Sequence, residues 1–184
     1  MTNGTTYYYK VSASNIVGEG SLSNRVSATP STTPSVTTNA ASSITNAAAT
    51  INGNVASDGG ATITQRGFRW AANSAADDCN TLTECTGVTV AGTTGAYTSS
   101  LSSLSSNTTY KYRAYATNSR GTVYGGLVTF TTYPTLGVTC SVSPDSVYTY
   151  SNVTWSSTAS GGIGTYSYVW SGSDNFLATT NNVS

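Results

Sequence analysis

The feature that most constrains this chain is a two-residue alternation over residues 110–117, which read YKYRAYAT. A period of two is typical of a β-strand with one buried face. Asn118 and Gly121 follow it, and both tolerate the positive φ of a tight turn. Residues 124–131 then return as a second strand. The sequence therefore predicts a β-hairpin.

A shorter copy of the same pattern opens the chain. Three residues each lie 103 positions before a matching counterpart: Tyr7 before Tyr110, Asn15 before Asn118 and Gly18 before Gly121. A repeat of roughly 100 residues is the length of one β-sandwich domain. The sequence thus predicts tandem β-sandwiches.

Composition favours an all-β fold. Of the 184 residues, 38% are hydrophobic and only 8% are charged, and the helix-forming residues Lys, Glu and Leu are scarce. Seven basic and seven acidic residues give zero net charge. No basic stripe is therefore expected to attract nucleic acid. No run of about 18 apolar residues exists, so we expect no membrane span.

Two proline-containing stretches predict domain boundaries. The predicted division is residues 1–30 as the closing hairpin of a first sandwich, 31–34 as a linker, 35–133 as a complete domain and 135–184 as the first part of a third domain. On this division the chain is a fragment, partial at both ends. Because proline stiffens a short linker, we expect neighbouring domains to be strung out rather than packed.

The alternation also predicts which residues face inward. In the N-terminal hairpin these are Tyr7, Tyr9, Val11, Ala13, Val26 and Ala28. The predicted core of the complete domain is Ile51, Val55, Phe68, Trp70, Val90, Leu101, Leu104, Tyr110, Tyr112, Ala114, Val128 and Phe130. Near Gly67 two readings stay open: Phe68 and Trp70 face different environments, or Gly67 marks a β-bulge.

Residues 104–110, LSSNTTY, resemble the Leu-x-Pro-x-Thr-x-Tyr corner of the fibronectin type III-like domains of large bacterial surface and secreted proteins, with Ser106 in place of proline. The resemblance covers about residues 1–133 and includes the RAYATN sequence that ends at Asn118. It implies immunoglobulin-like sandwiches with Tyr110, and its repeat Tyr7, as corner tyrosines. Their hydroxyl groups are implied to bond the backbone a few residues upstream.

The last part of the chain follows a different pattern. Val153-Thr154-Trp155, the Gly161-Gly162 turn and residues 165–170, TYSYVW, resemble the second and third strands of a PKD-like (polycystic-kidney-disease-like) immunoglobulin domain. The resemblance implies strands over residues 153–155 and 165–170, and residues 138–144 begin the pattern.

The sequence offers little for catalysis, and we expect no enzyme activity and no cofactor. The absence of histidine excludes Ser-His-Asp and Cys-His nucleophiles and imidazole-bound metals within this segment. The complete domain has four acidic residues, and Asp77, Asp78 and Glu84 fall in one short loop with Asn80. A solvated loop is the favoured reading. Calcium binding by the four residues is the alternative, because calcium takes six to eight oxygen ligands.

Cys79 and Cys85 flank five residues of that loop. Cysteines this close in a lysine-poor, export-like sequence favour a disulfide over a redox pair or a zinc site. Structural zinc would need four ligands. Cys140 is then unpaired, and its expected partner lies in the missing part of the third domain.

Tyr115, Tyr124, Tyr8 and either Lys111 or Arg113 are predicted on the outward face of the hairpins. Such a strip could stack on sugar rings or dock a partner protein. The alternative is that cross-strand aromatic pairs only stabilise the sheet.

These observations predict a non-catalytic structural or adhesive segment of an extracellular or cell-surface protein, monomeric within a longer chain, with protein or glycan ligands. The alternative is an accessory spacer, or weak carbohydrate-binding region, of a secreted enzyme that degrades polysaccharide or protein. A receptor ectodomain is also compatible with the folds.

Overall fold

The computed structural model describes residues 1–75, 78–79, 85–146, 148, 153–171, 177–178 and 182–183, and their regular elements are all β-strands. The predicted all-β class is confirmed. By its internal contacts the chain divides into two units. The first comprises residues 1–43, 49–101 and 109–130, and the second comprises 44–48, 102–108 and 131–184. The predicted domain boundaries remain a prediction.

The first unit begins with two short antiparallel pairs. Strand β1 (Tyr7–Tyr9) pairs with β4 (Val26–Ala28), and β2 (Ser14–Asn15) pairs with β3 (Gly18–Glu19). Of the six residues predicted to point inward, only Tyr7 is half-buried, and the other five are exposed. The prediction of an inward face is wrong for this hairpin, because the described residues place no second sheet over it.

The rest of the first unit contains a two-sheet sandwich. One sheet has the order β5 (Ser35–Ser42), β6 (Ala49–Ser57), β9 (Gly95–Leu101). The other has the order β11 (Gly121–Tyr124), β10 (Thr109–Asn118), β7 (Gln65–Ala72), β8 (Thr86–Thr89), and β12 (Val128–Thr131) also pairs with β10. The prediction of one return strand over residues 124–131 is wrong, because residues 125–127 adopt no regular structure and separate β11 from β12.

Aromatic rings from both sheets fill the space between them. Phe68 and Tyr97 have ring centroids 4.8 Å apart, and Tyr112 contacts Phe130 at 6.1 Å. Gly53 lies at a close approach of the two sheets, because a Cβ there would be 2.8 Å from the Cβ of Ala114. Nine predicted core residues are buried: Ile51, Val55, Phe68, Leu101, Leu104, Tyr110, Tyr112, Ala114 and Phe130. Trp70, Val90 and Val128 are half-buried.

The register near Gly67 is now defined. The β7–β10 pairing runs without a shift through Gly67 opposite Tyr115, Phe68 opposite Ala114 and Trp70 opposite Tyr112. Gly67 therefore does not mark a bulge. Phe68 and Trp70 share the inner face but differ in burial, since Phe68 is fully buried and Trp70 only half-buried.

In the second unit, β13 (Gly137–Ser143), β14 (Thr154–Ser160) and β17 (Asn182–Val183) form one sheet, and β15 (Trp170–Ser171) pairs with β16 (Leu177–Ala178). The strand predicted over 153–155 is present from Thr154 onward, as the start of β14. The strand predicted over 165–170 is wrong except at Trp170, because residues 165–169 adopt no regular structure.

Three loops also belong to the second unit, and Thr132 joins two of them. Its buried hydroxyl donates to the Ser105 carbonyl at 2.6 Å and accepts from the Thr108 N–H at 3.0 Å. The N–H of Leu104 donates to the Ala47 carbonyl at 3.0 Å. The predicted corner segment is therefore held by backbone and threonine hydrogen bonds.

Candidate functional site

The linker between the N-terminal hairpin and the sandwich is bound by the side chain of Asn118. This residue ends β10, and only 4% of it is exposed. Its Nδ2 donates to the carbonyl oxygens of Thr32 and Asp58, both at 2.7 Å, while its Oδ1 accepts from the Arg120 N–H at 2.8 Å. One buried amide thus joins the linker to two turns of the sandwich.

A glycine pair completes this junction. Gly59 and Gly60 have φ of 71° and 80°, a region that favours glycine. A Cβ on Gly59 would lie 2.4 Å from the Thr32 carbonyl oxygen, and one on Gly60 would lie 2.2 Å from the Gly4 nitrogen. Only glycine allows the linker and the hairpin to approach this turn so closely.

Further hydrogen bonds hold the linker from both sides. The Thr32 N–H donates to the Gly59 carbonyl and the Gly4 N–H to the Pro30 carbonyl, each at 2.9 Å. Arg120 Nε donates to the Ser31 hydroxyl at 2.7 Å. The prediction of strung-out, unpacked neighbours is wrong for this linker, because its polar backbone groups find partners on the sandwich.

A cleft of about 580 Å³ opens beside the junction. Its walls carry hydroxyl groups, among them those of Thr5, Thr33 and Ser57, together with the Asp58 side chain. One Asp58 oxygen already accepts from the Gly60 N–H at 2.9 Å. The cleft is polar and contains a single carboxylate, which is too few for a cation site on its own.

The second unit contains a similar Gly-Gly turn 102 positions later. Gly161 and Gly162 again have positive φ, of 74° and 63°. The Gly162 N–H donates to the Pro134 carbonyl at 3.0 Å, and a Cβ on Gly161 would lie 2.1 Å from the Thr135 carbonyl oxygen. In each unit, a Gly-Gly turn thus contacts the backbone of a segment that precedes a strand: residue 32 before β5 in the first unit, and residues 134–135 before β13 in the second.

The outer face of the five-stranded sheet differs from the prediction. Tyr115 is only 3% exposed, so the prediction that its ring lies open to ligands is wrong. Its neighbours are Tyr124, with ring centroids 5.9 Å apart, and Arg69, whose Cζ lies 5.2 Å from the ring centroid. Opposite it stands Gly67, which has no side chain and leaves room for these groups to cover the ring.

Cationic side chains occupy the same face. Arg113 is directly opposite Arg69 in the β7–β10 register, and both are half-buried. Their Nε atoms are buried and have no hydrogen-bond partner among the described residues. Lys111, two positions before Arg113, is 5% exposed, and its ammonium donates to the Ala75 carbonyl. Tyr124 is half-buried, and Tyr8 of the N-terminal hairpin is 57% exposed.

Arg66 lies on the inner face of the same sheet, where its guanidinium has a structural role. It is 8% exposed, and its guanidinium donates to the backbone carbonyls of residues 91 and 93–95 at 2.8–3.4 Å. Its Cζ also lies 4.7 Å from the Tyr97 ring centroid. Arg66 therefore fastens the β8–β9 loop.

Burial sets the ionisation of two core tyrosines. Tyr97 donates its hydroxyl hydrogen toward the carbonyls of Gly67 and Tyr115, at 3.1 and 3.0 Å, and burial raises its pKa to about 12. Tyr112 donates to the Asn39 carbonyl, and burial likewise raises its pKa to about 12. Both hydroxyls reach from one strand layer to backbone atoms of another and act as structural ties.

The predicted disulfide is present: the sulfur atoms of Cys79 and Cys85 are bonded, with their Cα atoms 5.4 Å apart. Both cysteines are buried and pack with Ala71 and Ala75. Cys140 is an exposed free cysteine. Of the proposed calcium ligands, Asp78 is exposed, and Asp77, Asn80 and Glu84 lie outside the described residues. Calcium binding stays a prediction. The described residues contain no cluster of three metal-ligating side chains.

The two corner tyrosines sit at the starts of their strands. The Thr2 N–H donates to the Tyr7 hydroxyl oxygen at 2.7 Å and lowers the pKa of that phenol. This contact joins Tyr7 to backbone five residues upstream, as the corner resemblance implies. Tyr110 is buried against Phe130 and Trp70, with centroid distances of 5.6 and 5.9 Å.

Among solved structures, the sensor domain of the anti-sigma factor RsgI4 from Pseudobacteroides cellulosolvens is 20% identical, with a TM-score of 0.40, over 54% of this chain and 93% of that one. The FN1–FN3 domains of chicken CNTN1 are 20% identical, with a TM-score of 0.40, over 72% of this chain and 42% of theirs. A stretch of titin domains is 20% identical, with a TM-score of 0.38, over 68% and 40%. No family model and no curated protein matches the sequence.

The described residues form an all-β chain whose first unit contains a two-sheet sandwich. In the described part of the chain, no helix is long and apolar enough to cross a bilayer.

Sequence reasoning missed two groups of residues. Asn118 was interpreted only as a turn residue. Its repeat at Asn15, and the recurrence of Gly59-Gly60 as Gly161-Gly162, were the signals in the sequence that these residues share a role. Arg69 was missed because nothing in the sequence places it opposite Arg113. That pairing depends on the register between two strands 44 positions apart.

Proposed function

We propose that this chain is a non-catalytic spacer segment of an extracellular, multidomain protein, in which the turns of each β-sandwich hold the preceding linker. The observation that carries the proposal is the junction of Asn118 with Thr32 and Asp58. A linker bound in this way transmits the orientation of one domain to the next, which suits a stalk that presents binding modules.

Three further observations support this proposal. The Gly-Gly turn recurs 102 positions later with the same type of linker contact. The disulfide between Cys79 and Cys85 is typical of oxidising, extracellular compartments. Charged residues make up only 8% of the chain and histidine is absent, which leaves few groups for acid–base catalysis.

The proposal predicts that the linker is as ordered as the sandwich. In the full chain, ¹⁵N relaxation should give the Thr32 and Gly4 amides order parameters close to those of β6 and β10, on the order of 0.85 for rigid backbone. Values below about 0.6, typical of flexible segments, would contradict the proposal.

Substitution of Asn118 tests the origin of that order. Asn118→Ala removes both donated bonds, each contributing about 1 kcal/mol, so amide exchange at Thr32 should accelerate about 10- to 30-fold. Asn118→Asp keeps the acceptor for the Arg120 N–H and should loosen the linker similarly. Asn24→Ala, at an exposed position of the N-terminal hairpin, is the matched control and should leave Thr32 unchanged.

The alternative function, a carbohydrate-binding region that stacks sugars on exposed tyrosine rings, is not supported at Tyr115. A sugar-stacking strip centred on Tyr115 would need that ring to be accessible, and it is 3% exposed. An accessory role beside a catalytic domain remains compatible with the spacer proposal.

A further inference from the structure

The polar cleft beside the linker junction has the size of a small-molecule site. Its volume of about 580 Å³ lies within the range of about 300–1,000 Å³ that is typical of ligand pockets. Residues 3–5, 32–33 and 57–60 supply most of its walls. These segments lead into β1, form the linker and contain the Gly59-Gly60 turn. A ligand in the cleft therefore touches all three parts of the junction.

The walls of the cleft recognise a ligand through polar groups. Thr5, Thr33 and Ser57 contribute hydroxyl groups, and each hydroxyl can donate one hydrogen bond and accept two. All three residues are exposed, so a ligand can reach them. Among the described residues that line the cleft, none is aromatic and none has a large aliphatic side chain. Stacking on a ring is therefore not the mode of recognition here.

Asp58 determines which charge the cleft accepts. It is half-buried, and one of its carboxylate oxygens accepts the Gly60 N–H at 2.9 Å. A carboxylate has about four acceptor positions, so Asp58 can also accept hydrogen bonds from a ligand. It is the one charged residue among the described residues that line the cleft. The cleft thus favours hydrogen-bond donors and repels anions.

These properties distinguish between three classes of ligand. A calcium ion takes six to eight oxygen ligands, several of them carboxylates in tight sites, and Asp58 is a single carboxylate. An anionic ligand would meet Asp58 without a cation to offset the repulsion. A neutral saccharide carries many hydroxyl groups, which can donate to the carboxylate and both donate to and accept from threonine and serine. The saccharide is the class that matches the walls.

We infer that the cleft binds a neutral saccharide, whose hydroxyl groups donate to Asp58 and share hydrogen bonds with Thr5, Thr33 and Ser57. The inference rests on the proposed function, because the cleft exists only while the linker is held on the sandwich. It adds a ligand to the spacer: the bound sugar bridges the parts of the junction and stabilises their arrangement. The site uses no residue of the predicted tyrosine strip.

The experiment titrates the full ¹⁵N-labelled chain with small sugars and follows the amide shifts by NMR. The neutral probes are glucose, cellobiose and N,N′-diacetylchitobiose. We expect saturable shifts of the Gly4, Thr33 and Gly59 amides with at least one of them. The dissociation constant should be on the order of 1 mM, because each polar contact replaces a similar contact with water. Absence of saturable shifts with all three sugars, at concentrations well above that value, would overturn the inference.

Two further probes test the class of ligand. Glucuronate should bind more weakly than glucose, because its carboxylate faces Asp58. Binding of glucuronate as tight as that of glucose would contradict a contact between the sugar and Asp58. Calcium chloride should leave these amides unshifted at sugar-free, millimolar concentration. Saturable calcium shifts at lower concentrations than any sugar requires would assign the cleft to a cation and overturn the saccharide assignment.

Variants locate the site. Asp58→Asn keeps an acceptor for the Gly60 N–H and removes the charge, so sugar affinity should fall about tenfold. Asp145→Asn removes the same charge at an exposed position of the second unit and should bind sugar like the parent protein. Thr33→Val replaces one hydroxyl by a methyl group and should weaken binding severalfold, whereas Thr98→Val, at an exposed position of β9, should not. Equal affinities in each variant and its control would refute the site.

Amide exchange separates failure of this inference from failure of the spacer proposal. A sugar at about ten times its dissociation constant should slow exchange at the Thr32 amide about tenfold, because it binds only the assembled junction. Unchanged exchange in the saturated protein would refute the bridging role. An ordered Thr32 amide without sugar-induced shifts would refute the sugar site and leave the spacer proposal intact. A mobile Thr32 amide in the free chain would refute both.

Discussion

Gly53 provides the sharpest test of how the sandwich is packed. It lies in β6, and a Cβ built on it would be 2.8 Å from the Cβ of Ala114 and 3.1 Å from ring atoms of Phe68 and Tyr97. Ordinary carbon contacts are about 3.5–4.0 Å. Gly53→Ala therefore forces the sheets apart by several tenths of an ångström or distorts an aromatic pair.

The expected cost follows from two opposing terms. Overpacking a core typically costs about 1–3 kcal/mol. Replacing a strand glycine by alanine also gains about 0.5–1 kcal/mol from reduced backbone entropy in the unfolded state. We expect Gly53→Ala to lower the free energy of unfolding of the sandwich by about 1–2 kcal/mol, a large part of a typical total of about 5–15 kcal/mol.

The assay is urea unfolding followed by the fluorescence of Trp70, in a background where Trp155 and Trp170 are replaced by Phe so that only this domain reports. Gly126→Ala is the matched control, because no atom lies within 4 Å of its Cβ position and its φ is outside the left-handed region. The control should be neutral or slightly stabilising.

A double variant isolates the contact. Gly53→Ala combined with Ala114→Gly moves the methyl group from one strand to the other and removes the shortest contact. It should be more stable than the sum of the single changes predicts, with a coupling of roughly 0.5–3 kcal/mol. The reasoning fails if Gly53→Ala matches the parent protein, or if the two changes are additive.

Three other perturbations have defined outcomes. Replacing Cys79 and Cys85 together by Ala removes a disulfide that closes a loop with a sequence separation of 6. The free energy of unfolding should fall by about 2 kcal/mol, because the unfolded chain regains loop entropy. Urea unfolding without reductant should show this loss, and an unchanged midpoint would contradict a stabilising role for the disulfide. Burial raises the pKa values of Tyr97 and Tyr112 to about 12, so the folded state holds these two protons more tightly than the unfolded chain does. The free energy of unfolding should therefore be constant below about pH 10 and should fall between about pH 10 and 12. An alkaline urea titration should show this slope, and Tyr97→Phe should reduce it; a slope equally steep in that variant would contradict the assignment. Arg66→Met should expose the residue 91–95 loop to rapid amide exchange while β10 stays protected, whereas uniform loss of protection would show that Arg66 supports the whole core.

Much of the fold could be read from local pattern. The alternation at Tyr110, Tyr112 and Ala114 placed β10 and its inner face correctly, because a period of two reports which side of a strand is buried. The spacing of Cys79 and Cys85 in a lysine-poor, export-like sequence indicated the disulfide, since a turn over so short a loop can bring the two residues together. Asn118 was recognised as a turn former from its chemistry alone.

The alternation predicted burial wrongly where exposure depends on what lies above a strand, either side chains from neighbouring strands or a second sheet. Tyr115 has the position of an exposed residue, yet Arg69 and Tyr124 cover it, and Gly67 opposite leaves the space for them. The N-terminal hairpin shows the converse. Val11 and Val26 alternate like core residues, but they are 69% and 59% exposed, because the described residues place no sheet above them.

The sequence by itself determined the all-β class, the position of most strands, the repeat near 100 residues and the disulfide, because each depends on neighbouring residues or on spacing along one chain. The tertiary structure alone decided the linker junction at Asn118, the close approach at Gly53 and the opposition of Arg69 and Arg113. Each of these joins residues from distant strands, and their meeting depends on strand register and sheet packing. Local propensities leave both of these open.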